Sequence, residues 1–199
     1  MTNSKEKLAQ MRAYAQEHDV PILRENTEKI LALLTRFKQP KTILEIGTAI
    51  GYSGAVMLLH SSATLNTVEI NEASAEIAKA NFRDLGIASR ANVFCADARE
   101  AIRQFSGEYD LIFLDGPKAQ YVEFLPYLRS LLATDGVLIA DNVLFRDLVK
   151  TLPNKKDRFY GIASKLREFF AAIQTDGWQT EILEIDDGIS VSVKTENKE

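Results

Sequence analysis

Hydrophobic and polar positions divide the chain into two kinds of segment. Short apolar runs rich in β-branched residues are separated by longer segments in which apolar residues recur with helical spacing. The apolar runs are 42–46, 67–70, 92–95, 111–114 and 137–140, and the helical segments are 5–17, 25–37, 53–60, 72–85, 99–104, 118–132 and 159–175. Strands that alternate with helices predict a parallel sheet covered by helices on both faces.

The pattern changes after the last helical segment. Residues 178–185, the turn-forming Asp186-Asp187-Gly188 and the alternating run 189–193 predict an antiparallel hairpin. The predicted fold class is therefore α/β and Rossmann-like: a mostly parallel seven-stranded sheet with a C-terminal antiparallel hairpin and extra N-terminal helices. No repeat or linker divides the chain, so residues 1–199 are expected to form one domain, with a helical cap at 1–38 and a core at 41–199.

Composition and charge exclude several classes of protein. Apolar residues make up 46% and charged residues 26%, as in ordinary globular proteins. No apolar stretch approaches the roughly 18 to 20 residues of a membrane span, and no secretory signal is apparent, so we expect a cytoplasmic protein without a membrane partner. The formal charge of −4 disfavours binding of nucleic acid over the whole surface but leaves room for a local basic patch. The single Cys95 is expected to pack in the core of a strand.

The first strand runs into a glycine-bearing turn, Leu44 to Ser53, that leads into a helix. Ligands of such sheets bind beyond the carboxyl ends of the strands, and Gly47 and Gly51 let the backbone pass close to a ligand. Glu69, at the end of the second strand, could accept hydrogen bonds from both hydroxyls of a ribose. Glu45 could face the positive end of a sulfonium amino-acid cofactor.

Alternatives stay open at this turn. It could be merely structural, while a dinucleotide site would require a glycine where Ala49 stands, which disfavours an NAD-dependent oxidoreductase. Asp97, at the end of the third strand, could receive an adenine amino group or cap the helix that follows.

Polar side chains also follow the fourth and fifth strands, in Leu114-Asp115-Gly116-Pro117-Lys118 and in Asp141-Asn142. These strand ends are expected at one sheet edge, where Asp115, Asp141 and Asn142 would offer oxygen donors suited to Mg²⁺. Two carboxylates in one small region repel each other unless a cation lies between them, although each could instead be a cap or turn residue. Lys118 would oppose the dipole of its helix, which favours a functional role over a decorative one.

With these motifs the chain resembles the catechol and caffeoyl-coenzyme A type of S-adenosylmethionine-dependent O-methyltransferase. The resemblance runs from about Val20 to the C-terminal hairpin, and it implies a class I methyltransferase fold with S-adenosylmethionine and Mg²⁺, or another divalent cation, as cofactors. It implies that Lys118 is the base that takes the hydroxyl proton. The implied metal ligands are Asp115, Asp141 and Asn142, and the implied cofactor-binding residues are Glu45, Gly47, Tyr52, Ser53, Glu69, Asp97, Ala98 and Asp115.

A metal held in this way would need two vicinal oxygens on the acceptor, as in catechol-like phenols or in O4 and O5 of 5-hydroxyuridine. The run Val20-Pro21-Ile22-Leu23-Arg24 resembles the bacterial tRNA 5-hydroxyuridine methyltransferases, and Gly116-Pro117 replaces a bulkier pair of the animal catechol enzymes. The predicted acceptor is therefore 5-hydroxyuridine in the tRNA anticodon loop. Small catechol-like phenols are the alternative, and a noncatalytic binding module is less favoured.

The segment 146–158 bears on this choice because it is locally basic. It contains Arg146, Lys150, Lys155, Lys156 and Arg158, against Asp147 and Asp157. The segment could meet tRNA phosphates or be a solvated loop, and Phe145, Phe159 and Tyr160 could stack on bases or pack in the core. The N-terminal helices could cap the site or form a dimer surface, and a homodimer is expected.

Overall fold

A seven-stranded sheet forms the centre of the protein in the computed structural model, which describes residues 2–175 and 177–195. The strands are β1 (Thr42–Ile46), β2 (Thr64–Glu69), β3 (Ala91–Cys95), β4 (Tyr109–Leu114), β5 (Leu132–Asp141), β6 (Trp178–Leu183) and β7 (Ile189–Lys194). Their order is β3-β2-β1-β4-β5-β7-β6; the first five strands are parallel, and β7 runs antiparallel to both β5 and β6. The predicted sheet, with its C-terminal hairpin, is confirmed.

Helices cover both faces of this sheet. They are α1 (Thr2–Glu17), α2 (Glu25–Lys38), α3 (Tyr52–Leu59), α4 (Glu72–Asp84), α5 (Ala98–Ala101), α6 (Tyr121–Leu131) and α7 (Tyr160–Ile173). Successive residues of β4 alternate between the two cores: Leu111 and Phe113 pack with α1 to α4, while Ile112 and Leu114 pack with α5 to α7. A strand that is buried on both sides must be apolar throughout, which explains the continuous apolar runs in the sequence.

Several boundaries differ from the sequence-based expectation. The helix expected at 118–132 begins with a 3₁₀ turn, Lys118–Gln120, and it ends at Leu131 because Leu132 already pairs with Tyr109 in the sheet. The helix expected at 99–104 is the short α5. The expectation that Cys95 is buried is wrong, since β3 is an edge strand and the thiol is exposed.

The N-terminus of α2 is capped by the other end of the chain. Arg24, which precedes α2, makes no side-chain cap, whereas Asp186 in the β6–β7 turn accepts hydrogen bonds from the Thr27 amide (3.0 Å) and the Thr27 hydroxyl (3.1 Å). Arg24 pairs with the neighbouring Asp187 at 2.8 Å. These contacts fix the linker between α1 and α2 beside the hairpin turn. Across residues 2–175 and 177–195, no helix has both the length and the apolarity to cross a membrane.

Candidate active site

A cavity of about 800 Å³ opens at the carboxyl ends of the parallel strands. Its walls come from the ends of β1, β2, β3, β4 and β5 and from the linker 19–24 between α1 and α2. The predicted site residues that line it are Gly47, Glu69, Asp97, Ala98, Asp115, Lys118, Asp141 and Asn142. Five separate chain segments therefore bring together most of the predicted site, as parallel strand ends on one sheet edge must do.

Gly47 is required by the turn that follows β1. Its φ is +101°, and a Cβ at this position would lie 2.3 Å from the Asp115 carbonyl oxygen. Both the left-handed backbone and the contact with the end of β4 therefore exclude a larger residue. Ala49, in the same turn, adopts a φ of +45° without being glycine. The turn thus brings its bare backbone against the edge on which Asp115 lies.

The Glu69 carboxylate is oriented by backbone amides. The Ala49 N–H donates to Oε2 and the Asn71 N–H donates to Oε1, both at 2.8 Å. Each carboxylate oxygen can accept a further hydrogen bond, and the side chain lines the cavity. The group is therefore a fixed double acceptor, as a ribose with two adjacent hydroxyls requires.

Glu45 lies behind the turn and does not line the cavity. Ser53 donates to Oε1 at 2.5 Å and Thr67 donates to Oε2 at 2.6 Å, so both oxygens are already engaged. Complete burial raises the pKa of Glu45 to about 7, although the hydrogen bonds from Ser53 and Thr67 oppose this shift. Neither Glu45 nor Ser53 is brought to the cavity, so their geometry favours support of the turn over contact with a cofactor.

Tyr52 also does not line the cavity. Its hydroxyl donates to Glu28 at 2.8 Å and accepts from Arg12 at 3.1 Å, while Arg12 and Glu28 form an ion pair at 2.6 Å. Burial and the Glu28 carboxylate raise the pKa of Tyr52 to about 12. This cluster joins α1 and α2 to the start of α3. The sequence gives no local signal for Arg12 or Glu28, because they lie 40 and 24 residues from Tyr52 along the chain.

Asp97 caps the helix that follows it, as one of the two sequence-based interpretations predicts. Its carboxylate accepts from the Arg99 amide at 2.8 Å, which caps α5, and it pairs with the Arg99 guanidinium at 2.8 Å. The same residue lines the cavity together with Ala98. The cap orients Asp97 at the end of β3, which is separated from β4 and Asp115 by β2 and β1 on the same sheet edge.

A half-buried carboxylate, Asp115, and a buried one, Asp141, lie at the ends of β4 and β5. Burial raises the pKa of Asp141 to about 7, with a further contribution from the negative charge of Asp115. Burial also raises the pKa of Asp115, against the effect of Lys118, whose Nζ lies 3.5 Å from Oδ1. Asn142 completes the predicted set. Its backbone has a left-handed φ of +55°, and its backbone N–H donates to the Asp141 carboxylate at 2.7 Å.

This edge has the donor chemistry of a divalent cation site. Within residues 2–175 and 177–195 no group of three or more His, Cys, Asp or Glu side chains is arranged for a metal, so the set consists of two carboxylates and the Asn142 amide. All three side chains offer oxygen, the donor atom that hard cations prefer, and Asp115 and Asp141 are close enough for their negative charges to repel each other. The residues therefore fit a hard cation such as Mg²⁺.

Tyr121 holds the two strand ends at this edge together. Its buried hydroxyl lies 3.1 Å from the Leu114 carbonyl oxygen and 3.2 Å from that of Asp141, so it can donate to either. The residue was not singled out from the sequence, where it is one of several apolar positions of a helix. Only the packing of α6 on the sheet identifies it as a residue that positions Asp115 and Asp141.

The basic segment is only partly available for a ligand. Lys150 pairs with Glu184 at 2.8 Å and lies 3.5 Å from Asp147, so its charge is compensated. Arg146 and Arg158 instead lie against the ring of Phe159. Lys150 therefore adds little to the positive charge that the segment offers a ligand, whereas Arg146 and Arg158 still contribute theirs.

A glycine turn and a carboxylate-lined cavity at the carboxyl edge of a Rossmann-like sheet are typical of an α/β enzyme that binds a nucleoside cofactor. More specifically, the chain belongs to the O-methyltransferase family, whose model matches residues 2–195. This membership confirms the class of enzyme predicted from the sequence.

Individual relatives agree with this assignment. The chain is 32% identical over 125 residues to the catechol O-methyltransferase of Niastella koreensis (60% of this chain, 57% of that protein). It is 30% identical over 120 residues to that of Mycobacterium tuberculosis (58% and 54%). The chain thus spans little more than half the length of these curated relatives.

Solved structures show the fold over nearly the whole chain. A Staphylococcus aureus protein, named provisionally as a caffeoyl-CoA O-methyltransferase, has a TM-score of 0.86 at 30% identity and covers 94% of this chain and 92% of its own. The Bacillus cereus O-methyltransferase in complex with SAH has a TM-score of 0.86 at 23% identity, with 96% and 91% covered. At that identity the second structure supports the fold alone. The predicted methyltransferase fold is confirmed.

Proposed function

We propose that the protein transfers a methyl group from S-adenosylmethionine to a hydroxyl oxygen that has a vicinal oxygen, assisted by a divalent cation. The observation that carries this proposal is that one cavity contains both the Glu69 double acceptor and the carboxylate pair Asp115 and Asp141. The first group suits the ribose of the cofactor, and the second suits a cation that binds the acceptor. Family membership supplies the reaction class.

Each lining residue has a role in this proposal. Glu69 would hold the ribose, Asp97 and Ala98 would lie along the adenine, and Gly47 would allow close approach of the cofactor to the end of β4. Methyl transfer from a sulfonium to oxygen is an in-line displacement that removes charge, so alignment and exclusion of water contribute most to the rate. The backbone and the strand ends that line the cavity would supply both.

Asp115, Asp141 and Asn142 would hold the cation, with Mg²⁺ preferred because the donors are all oxygen. When bound, the cation supplies Lewis acidity that lowers the pKa of the acceptor hydroxyl. Lys118 would take the hydroxyl proton on Nζ as a neutral amine, the form that a divalent cation bound at the neighbouring Asp115 would favour; its side chain lines the cavity and Nζ lies 3.5 Å from Asp115.

For the acceptor, we propose 5-hydroxyuridine in the tRNA anticodon loop. Its O4 and O5 are vicinal, Arg24 lines the cavity, and the basic segment 146–158 begins four residues after the cavity residue Asn142. Such an acceptor agrees with the cytoplasmic location that the sequence predicts. Small catechol-like phenols are the second candidate, because the curated relatives include catechol O-methyltransferases.

Acceptor competition tests this proposal. Hydroxyuridine-containing tRNA, purified from a strain that lacks the enzyme, and a simple catechol would each be incubated with enzyme, S-adenosylmethionine and Mg²⁺. Mass analysis of the nucleosides should show one added methyl group on hydroxyuridine. If the tRNA accepts no methyl group under conditions in which catechol does, the phenol is the acceptor and the tRNA assignment is wrong.

We also propose a homodimer that uses the outer face of α2. Phe37 is 81% exposed and Leu33 is 50% exposed, and an apolar groove of about 270 Å³ lies between this helix and the sheet. Exposed apolar surface of this kind is typical of an interface. Light scattering should give twice the monomer mass, and Phe37→Glu should shift the protein to the monomer mass. A monomeric wild type at micromolar concentration would contradict the proposal.

A further inference from the structure

Two arginines of the segment that follows β5 share one aromatic ring. The guanidinium carbons of Arg146 and Arg158 lie 5.4 Å and 4.4 Å from the centroid of the Phe159 ring. Phe145 packs edge-on against the same ring, with the centroids 5.6 Å apart. Both arginines are exposed, and in the described part of the chain neither forms an ion pair with a carboxylate. Two positive charges are therefore held close together without compensation.

The backbone below these arginines is fixed. Residues 145–147 have φ values of 43°, 57° and 59°, so three successive residues adopt the left-handed conformation and turn the chain back on itself. Arg167 of α7 donates to the carbonyl oxygens of Val149 at 2.7 Å and Lys150 at 3.1 Å, which ties the segment to the helix. Cations that are already positioned lose less conformational entropy when they bind an anion.

The arginine pair lies near the acceptor end of the cavity. Asn142 lines the cavity, and Phe145 follows three residues later, within about 11 Å along the chain. On the other side, α7 begins directly after Phe159 and packs against the Lys118–Gln120 turn, which also contributes to the cavity wall. A polymer whose reactive base entered the cavity would carry its backbone past this surface.

We propose that Arg146 and Arg158, held on Phe159, bind backbone phosphate of an RNA acceptor. A guanidinium stacked on a ring keeps its N–H edge free, and this edge matches two phosphate oxygens. The site rests on the proposed RNA acceptor, because a simple catechol carries no phosphate. Lys150 is not part of the site, since its charge is already paired with Glu184 and Asp147.

Binding of a labelled RNA stem-loop, with an anticodon-loop sequence but no hydroxyuridine, tests the site without requiring methyl transfer. Fluorescence anisotropy would be measured over a series of salt concentrations. The double variant R146A/R158A should bind about tenfold more weakly at about 0.1 M salt, and the slope of log affinity against log salt should flatten by about 1.4 for two lost phosphate contacts. Phe159→Leu should give a smaller loss in the same direction, because it removes the stacking surface and keeps both charges.

The matched control is R83A/R103A, which removes the same charge elsewhere. Arg103 is exposed and also stacks on an aromatic ring, that of Tyr127 at 5.3 Å, and Arg83 is exposed near the end of α4. The control should bind RNA as the wild type does. Equal losses in both double variants, no loss in either, or no RNA binding by the wild type would overturn the site.

Two further arms separate the site from the proposed function. If R146A/R158A loses RNA binding but hydroxyuridine-containing tRNA is never methylated, the site stands and the proposed acceptor fails. The second arm adds caffeoyl-CoA, a small acceptor that carries phosphates. If the arginine pair governs binding of this thioester and has no effect on RNA affinity, the phosphate belongs to a small molecule and the RNA site is refuted.

Discussion

Replacing Glu45 with glutamine should change how the stability of the protein depends on pH. The carboxyl group is fully buried on β1, and burial raises its pKa to about 7 from an ordinary value of 4.5. In the unfolded chain the group loses its proton near the ordinary value, whereas the folded protein retains the proton until about pH 7. The folded state therefore binds more protons across this window, and the free energy of unfolding must fall as pH rises through it.

The size of this loss follows from the two pKa values. The shift of the pKa from 4.5 to about 7 corresponds to about 3 kcal/mol in the free energy of unfolding. The protein retains this stability at pH 4 and has lost it above pH 7. The glutamine side chain of the variant cannot ionise, and the Ser53 and Thr67 hydroxyls can rotate to accept from its amide. The variant Glu45→Gln should thus match the wild type near pH 4 and exceed it by up to about 3 kcal/mol at pH 8.

Urea unfolding of the cofactor-free protein from pH 4 to pH 8, at constant salt, would measure this difference. Asp141 changes stability in the same direction, but it is present in both proteins and cancels in the comparison. Glu181→Gln, at an exposed position on β6, is the matched control and should follow the wild type throughout. If Glu45→Gln also follows the wild type at every pH, Glu45 is ionised in the folded protein and the reasoning fails.

Further predictions address the proposed chemistry. Glu69→Ala should weaken S-adenosylmethionine binding by roughly 1.5–3 kcal/mol, as charge-assisted hydrogen bonds to the ribose are lost; unchanged affinity in calorimetry would exclude Glu69 as the ribose acceptor. Thorough removal of divalent cations with EDTA should abolish turnover but spare cofactor binding, and a turnover rate that survives would refute the metal at Asp115 and Asp141. Lys118→Ala should slow methyl transfer about 10²- to 10⁴-fold in single-turnover assays while RNA affinity stays nearly constant, so a wild-type rate would remove Lys118 from the mechanism.

The local sequence was sufficient to predict the sheet and most of the cavity. Apolar residues that alternate with polar ones, or that form a short continuous run, identify strands in the sequence. Residues that follow parallel strands must then gather at one edge of the sheet. For this reason Gly47, Glu69, Asp115 and Asp141 could be placed together without knowledge of the strand order. Their chemistry also follows from residue type, since carboxylates suit a ribose or a cation.

Tertiary structure alone decided which polar residues face the ligand and which support it. Glu45, Ser53 and Tyr52 belong to the same turn motif as Gly47, yet they point into hydrogen-bond networks behind it. The exposure of Cys95 depends on β3 being the edge strand, which local periodicity does not encode.

The same limit applies to contacts between distant parts of the chain. Asp186 caps α2 across 159 residues, and Tyr121 bridges the ends of β4 and β5, because packing brings them into hydrogen-bond range. Local sequence specifies which elements form and what chemistry their ends carry. The partners of each side chain depend on the order and packing of the elements, which are set by long-range burial of apolar surface rather than by any neighbouring residue.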